Sequence, residues 1–124
     1  GGVKPMESEE VPEGAVSTTD ASKFIGQKKK VCGTVVASRT LKDNKGVILN
    51  LDQKFPNQIF SATIWRDNLV NFSYDPATAL SGRKVCFTGT LESYKDKPTM
   101  ELKNEKSVEI LVEDELPPTK KSTK

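Results

Sequence analysis

Two stretches of the chain nearly repeat each other: GQKKKVCGTVVASRT over residues 26–40 and SGRKVCFTGTLESY over residues 81–94. Each passes from a glycine through basic residues to Val-Cys, then to a second glycine and more apolar residues. Both alternate with period two, the spacing of a β-strand with one buried face. In the first, Val31, Gly33 and Val35 share one face while Cys32, Thr34 and Val36 share the other. In the second, Val85, Phe87, Gly89 and Leu91 fall together. A chain whose clearest segments read this way is built on a sheet, and its two cysteines, Cys32 and Cys86, take matching strand positions.

The segments between them continue the pattern. Residues 18–25 (TTDASKFI) predict a short helical turn, with Thr18 or Thr19 as N-cap. LKDNKG over 41–46 has turn chemistry throughout, since Asp43 and Asn44 tolerate left-handed backbone. A second strand then places Val47, Leu49 and Leu51 inward and Ile48, Asn50 and Asp52 outward. After a turn at 54–58, a third strand at 59–65 puts Phe60, Ala62 and Ile64 inside and leaves Trp65 at its outer end. Residues 66–80 break the alternation, and Pro76 forbids one continuous helix, so two short helical turns are expected there. The fourth strand leads through YKDKP into a fifth at 99–103, with Met100 and Leu102 on its apolar face and SVEILV (107–112) extending it.

Three strands, a helical connection and two further strands is the order of a five-stranded Greek-key OB-fold barrel. The expected class is therefore all-β with a short helix between strands 3 and 4. Gly33 and Gly89 fit this reading, because a small barrel bends its strands where an inward side chain would obstruct. The expected domain covers 18–112, between a disordered N-terminal lead at 1–17 and a disordered C-terminal tail at 113–124 closed off by Pro117 and Pro118. Charge is divided along the same boundaries. The lead and first turn, 1–23, carry −3, residues 24–112 carry +5 and the tail is neutral, for a net +2. The barrel is thus the basic part, mildly so.

The segment GQKKKVCGTVVASRTL followed by GVILNLDQ resembles the opening of the OB domains that bind tRNA anticodons in class II synthetases. Over residues 22–110, VCGTVV, LNLDQKFPNQIFSATIW, GRKVCFTGTLESYKDKPTMEL and VEIL are similar to small exported bacterial OB proteins, whose domains also occur beside secreted nucleases. The resemblance implies oligonucleotide or ligand binding on the face of strands 2–3 and on the loops joining strands 1–2 and 4–5. It also implies a periplasmic or exported life, with or without lipid anchoring before processing, and a cytoplasmic one as the alternative.

In such a barrel the first and fourth strands are antiparallel neighbours. Cys32 and Cys86 would then face outward together, and an aligned register would bring their Cα atoms within the ~5.5–6 Å that a disulfide prefers. Two reduced, half-buried cysteines are the alternative. Without histidine, and without a CxxC pair, a zinc site is not expected.

Single-stranded nucleic acid asks for cations to meet phosphates and flat rings to meet bases. Arg39, Lys42 and Lys45 flank the first loop, and Lys95 and Lys97 sit on the loop between strands 4 and 5. Trp65 and Tyr94 are the stacking candidates, with Phe55 a third. Against this, the outward positions Ile48, Asn50, Asp52, Ile59, Ser61 and Thr63 lack an aromatic platform. The expectation is thus a binding module that takes single-stranded DNA or RNA without sequence specificity, or alternatively an envelope domain that binds a protein or small ligand. A nuclease on another chain is a third partner class. No nucleophile elbow, phosphate loop, dinucleotide fingerprint or carboxylate pair suggests an enzyme or a cofactor, and no apolar run is long enough to span a membrane.

Overall fold

The longest strand organises the fold. In the computed structural model, which describes residues 2–111, β2 runs over Lys28–Thr40, 13 residues. Its first half, residues 28–34, pairs antiparallel with β5 (Lys84–Thr90). Its second half pairs antiparallel with β3 (Gly46–Leu51), and the register shifts between Val35 and Ala37. That extra residue bends the strand, as bulges do, so one strand serves two differently oriented halves of a sheet. β4 (Ser61–Trp65) pairs antiparallel with β3, and β7 (Lys97–Glu101) runs parallel to β4. β6 (Glu92–Tyr94) forms a hairpin with β7 and is separated from β5 by Leu91 alone.

The molecule is therefore mostly β with a few short helices. Among the described residues its sheet has eight strands, in the order β6-β7-β4-β3-β2-β5-β8 with β1 on β2, where five were expected. Three differences account for the number. The expected fourth strand divides at Leu91 into β5 and β6. The expected extension of the fifth strand is a separate element: a 3-10 turn at Glu105–Ser107 interrupts the chain after β7, and β8 (Val108–Ile110) pairs antiparallel with β5. Finally, β1 (Ala15–Ser17) lies within the segment expected to be a disordered lead. It pairs in parallel with residues 30–32 of β2, on the edge that β3 leaves beyond Val35, and so satisfies backbone groups otherwise left open. Upstream of it, the Val3 N–H donates to the Asp52 carbonyl at 2.8 Å. The expected tail at 113–124 lies outside the described residues.

The helical connection follows expectation in kind. α1 (Arg66–Leu69) and α2 (Pro76–Ala79) are single turns, and Asp75 caps the second by accepting from the Ala77 N–H and the Thr78 hydroxyl. The turn at Ala21–Phe24 is a 3-10 helix whose N-cap residue is Asp20, so neither threonine caps it. Thr18 is engaged elsewhere, as shown below.

The core gathers the residues assigned inward: Val31, Val35, Val47, Leu49, Leu51, Phe60, Ala62, Ile64, Val85, Phe87, Leu91, Met100 and Leu102. Each of the larger ones removed from water contributes roughly 1.5–3 kcal/mol. Gly89 belongs to this packing, since a Cβ there would lie 2.8 Å from Met100 Cγ.

Two positions assigned outward, Asn50 and Asp52, are buried instead, Asp52 to 1 % exposure. The Asp52 carboxylate accepts from the Thr18 hydroxyl at 2.7 Å and from the Thr34 N–H at 2.9 Å. It also rests against Gly33, where a Cβ would lie 2.9 Å from Oδ2. Gly33 is thus small because a buried carboxylate needs the space. Burial pushes the Asp52 carboxyl above its ordinary range, against the two hydrogen bonds that favour its charged form.

Cys32 and Cys86 are directly opposite in the β2–β5 register and joined by a disulfide. Their Cα atoms are 4.0 Å apart, closer than the expected separation, as in a non-hydrogen-bonded antiparallel pair. The bridge lies on the face opposite the core residues Val31 and Phe87, yet both cysteines are buried rather than exposed, with Ser17 of β1 beside Cys32 in register.

Two outcomes follow from these contacts. Reduction should add the mass of two hydrogens and lower unfolding free energy by about 2–4 kcal/mol, read by urea titration with and without reductant; an unchanged mass would remove the bridge. For Asp52, the folded protein holds the proton more tightly than the unfolded chain does. This group's stability is therefore full below the unfolded value and lost as pH rises through the raised folded one. Asp52→Asn can still accept from the Thr34 N–H and can donate to the Thr18 hydroxyl oxygen without the charge, so wild type should gain stability relative to it as the pH falls from neutrality, while Asp52→Ala should cost about 1–3 kcal/mol. Urea titrations across that range check both, and a wild-type–Asp52→Asn difference that does not move with pH would overturn the assignment.

Candidate binding groove

Period-two alternation gives β3, β4 and β7 a second face, turned away from the core. Ile48 of β3, Ser61 and Thr63 of β4, and Thr99 and Glu101 of β7 line a groove there of ≈ 700 Å³. Register fixes the arrangement in rows across the strands. One row runs Arg39, Ile48, Thr63, Glu101; the next runs Asn50, Ser61, Thr99, Glu92. The floor is short, polar and uncluttered, apart from Ile48.

The walls come from the ends of strands and from two tight turns. Trp65 ends β4 and stays 42 % exposed, as its terminal position predicts. Opposite it, Tyr94 and Lys97 pair at the tip of the β6–β7 hairpin. The two residues between them, Lys95 and Asp96, have φ of 51° and 65°. This is the left-handed pair that a two-residue hairpin of the I′ kind uses. The β2–β3 loop is shaped the same way by Asp43 and Asn44, at φ 61° and 54°, in agreement with the turn chemistry of that stretch.

Four of the seven candidate residues, Arg39, Trp65, Tyr94 and Lys97, line this one groove. The other three do not line it. Lys42 and Lys45 are exposed on the β2–β3 loop, at the Trp65 end, where the Lys45 carbonyl accepts from the Arg66 N–H at 2.8 Å. Lys95 projects from the hairpin tip, its Nζ 5.4 Å from the centre of the Tyr94 ring. Lys97 is tied inward, donating to the Gln58 carbonyl at 2.9 Å, and the Gln58 Oε1 beside it is buried with no hydrogen-bond partner among the described residues. Arg39 lies over the Phe55 ring at 5.8 Å.

Glu92 and Glu101 were not among the candidates, yet both line the groove and neither forms an ion pair among the described residues. Their signal was available: each sits one position from a buried apolar residue, Leu91 and Met100, and therefore on the opposite face. With Arg39 and Lys97 they make the lining electrically balanced. Arg39 and Glu101 stand at the two ends of one row, and Glu92 lies on the hairpin that carries Lys97.

Among the described residues no group of three His, Cys, Asp or Glu side chains is positioned to hold a metal ion, and no helix is long and apolar enough to cross a membrane. No family model matches the chain, and no curated protein matches it. Among solved structures, it is similar to a provisionally named aspartyl-tRNA synthetase from Leishmania major Friedlin. The two are 9 % identical over 88 % of this chain, with a TM-score of 0.48, and the matched region is 23 % of that protein. A superposition this loose assigns neither fold nor function.

Trp65 is the chain's one tryptophan, so its emission reports on this groove alone. Acrylamide should quench it in the native protein. Emission that resists the quencher until the protein unfolds would place the indole in the core and remove one wall of the groove.

Proposed function

We propose that this chain is an OB-fold binding module rather than an enzyme, and that its groove takes single-stranded DNA or RNA without sequence specificity. The strand connections support the fold reading. Taking β5 and β6 as one bent strand, the pairings join first to second, second to third, third in parallel to fifth, fifth to fourth and fourth back to first. That is the circuit a five-stranded Greek-key barrel would have, with α1 and α2 between the third and fourth strands and β1 and β8 added outside.

The observation that carries the function is the meeting of Trp65, Tyr94, Arg39 and Lys97 around one groove, with Lys42, Lys45 and Lys95 beyond its ends. Two exposed rings offer stacking surfaces, worth roughly 1–3 kcal/mol per base. The lysines meet the phosphates at the rims. Affinity of this kind is weak, on the order of 10⁻⁴–10⁻⁶ M at physiological salt. The disulfide supports an exported life in an oxidising compartment.

Glu92 and Glu101 favour a second reading. Two carboxylates in the lining repel phosphate and suit a ligand that presents N–H groups or mixed charge, such as a peptide or a small zwitterion in the cell envelope.

Salt separates the two. Fluorescence anisotropy of a labelled single strand should show binding that weakens between about 50 and 200 mM salt. Changing Lys95 and Lys97 together to Glu should abolish most of it and reduce the slope of log affinity on log salt by at least about 1.4, two single-strand phosphate contacts. No binding even at low salt would reject the nucleic-acid reading and leave the peptide or small-ligand one.

A further inference from the structure

Just outside the groove lies a ring that the proposed site does not use. Phe55, in the turn between β3 and β4, is 63 % exposed, close to the 66 % of Tyr94. Arg39 lies over it at 5.8 Å and also lines the groove, so the ring and the groove share a wall. Lys54, the preceding residue, is exposed. The opposite end has the same composition: the Tyr94 ring, Lys95 over it at 5.4 Å, and Lys97 beside it. Each end is thus a flat apolar surface with one cation resting on its face and a second nearby.

We infer that Phe55 is a second stacking platform, and that a bound strand crosses the β-strands from Tyr94 on one side to Phe55 on the other. This rests on the nucleic-acid reading of the groove and extends it. The Phe55 turn joins β3 to β4, two to three strand spacings from β6, about 10–14 Å. In the free protein one cation lies over each ring. A base that stacks there takes the cation's place and leaves the guanidinium or ammonium beside the next phosphate, so ring and cation act in sequence on one nucleotide. Glu92 and Glu101 line the groove on the Tyr94 side, on β6 and β7, and repel phosphates from it. The strand therefore runs with its bases inward and its backbone along the lysine-bearing rims.

A length series of oligodeoxythymidylates, from a trinucleotide to about 16 nucleotides, tests this on the intact chain. Phe55→Ala should leave the trinucleotide's affinity unchanged and weaken the longer strands by about 5- to 100-fold. The high exposure of Phe55 makes loss of folding an unconvincing cause, and Phe55→Trp should restore long-strand affinity. In a Trp65→Phe background, the indole at position 55 should also be quenched when long strands saturate the protein. A Phe55→Ala protein with wild-type length dependence, or an indole whose emission does not move at saturation, overturns the second platform while the groove reading stands. If wild type binds no strand of any length, both fall together.

Discussion

The bend in β2 is the constraint on which the other elements depend. A single strand pairs with β5 along its first half and with β3 along its second, and the register break after Val35 lets it do both. Without that break, Val31 and Leu49 could not point into the same core while their partner strands lie in differently oriented halves. The bend also opens an edge. β3 departs near Val35, leaving residues 30–32 of β2 unpaired on one side, and β1 fills that place. The disulfide reinforces the same region, tying β2 to β5 at Cys32 and Cys86, while the Lys30–Glu109 ion pair at 3.0 Å carries the link on to β8. Of these, the ion pair is exposed and adds little.

Asp52 connects this framework to the chain's beginning. Its side chain holds Thr18 and the Thr34 backbone, and its own backbone accepts from Val3. A buried carboxylate is a costly way to join segments, because desolvation opposes the charge that the hydrogen bonds favour. What it gains is position. It lies at the end of β3 with φ of 70°, where the chain must leave the sheet and enter the turn bearing Phe55. Removing its acceptors would leave the half-buried Thr34 N–H without this partner, at the very residue where β2 passes from β5 to β3.

Much of the fold was legible because alternation is a strong signal on strands with one wet face. Val47, Leu49 and Leu51, or Phe60, Ala62 and Ile64, could be assigned inward from spacing alone. The pairing of Cys32 with Cys86 followed from equal positions in adjacent strands. Alternation failed where the second face is also covered: Asp52 reads as a surface acid and is buried because Thr18 supplies the hydroxyl that its carboxylate needs, from 34 residues away. Local pattern cannot see such a partner. The same limit hid β1, whose three residues form a strand because β2 offers an edge, and β8, which a 3-10 turn folds back onto β5. At the groove, basic residues and rings drew attention by type. Glu92 and Glu101 did not, although their positions were as readable as those of Arg39 and Tyr94.

Those two acids change how the proposed site works. A groove lined by cations alone would hold any polyanion, and a free phosphate chain as well as a nucleic acid. With Arg39 and Lys97 balanced by Glu92 and Glu101, the lining offers no net charge to a ligand inside it. The remaining lysines are exposed on loops, where attraction is screened over about 8 Å at physiological ionic strength and each pair is worth about 0–1 kcal/mol. Stacking on an exposed ring is worth more than that per base. On this reading the loops govern encounter and the rings govern retention, so discrimination between a nucleic acid and another polyanion belongs to the aromatic residues. The fold serves that division directly. Strand ends and two-residue turns carry Trp65, Tyr94 and the lysines outward, while the pleat turns Glu92 and Glu101 to the groove face.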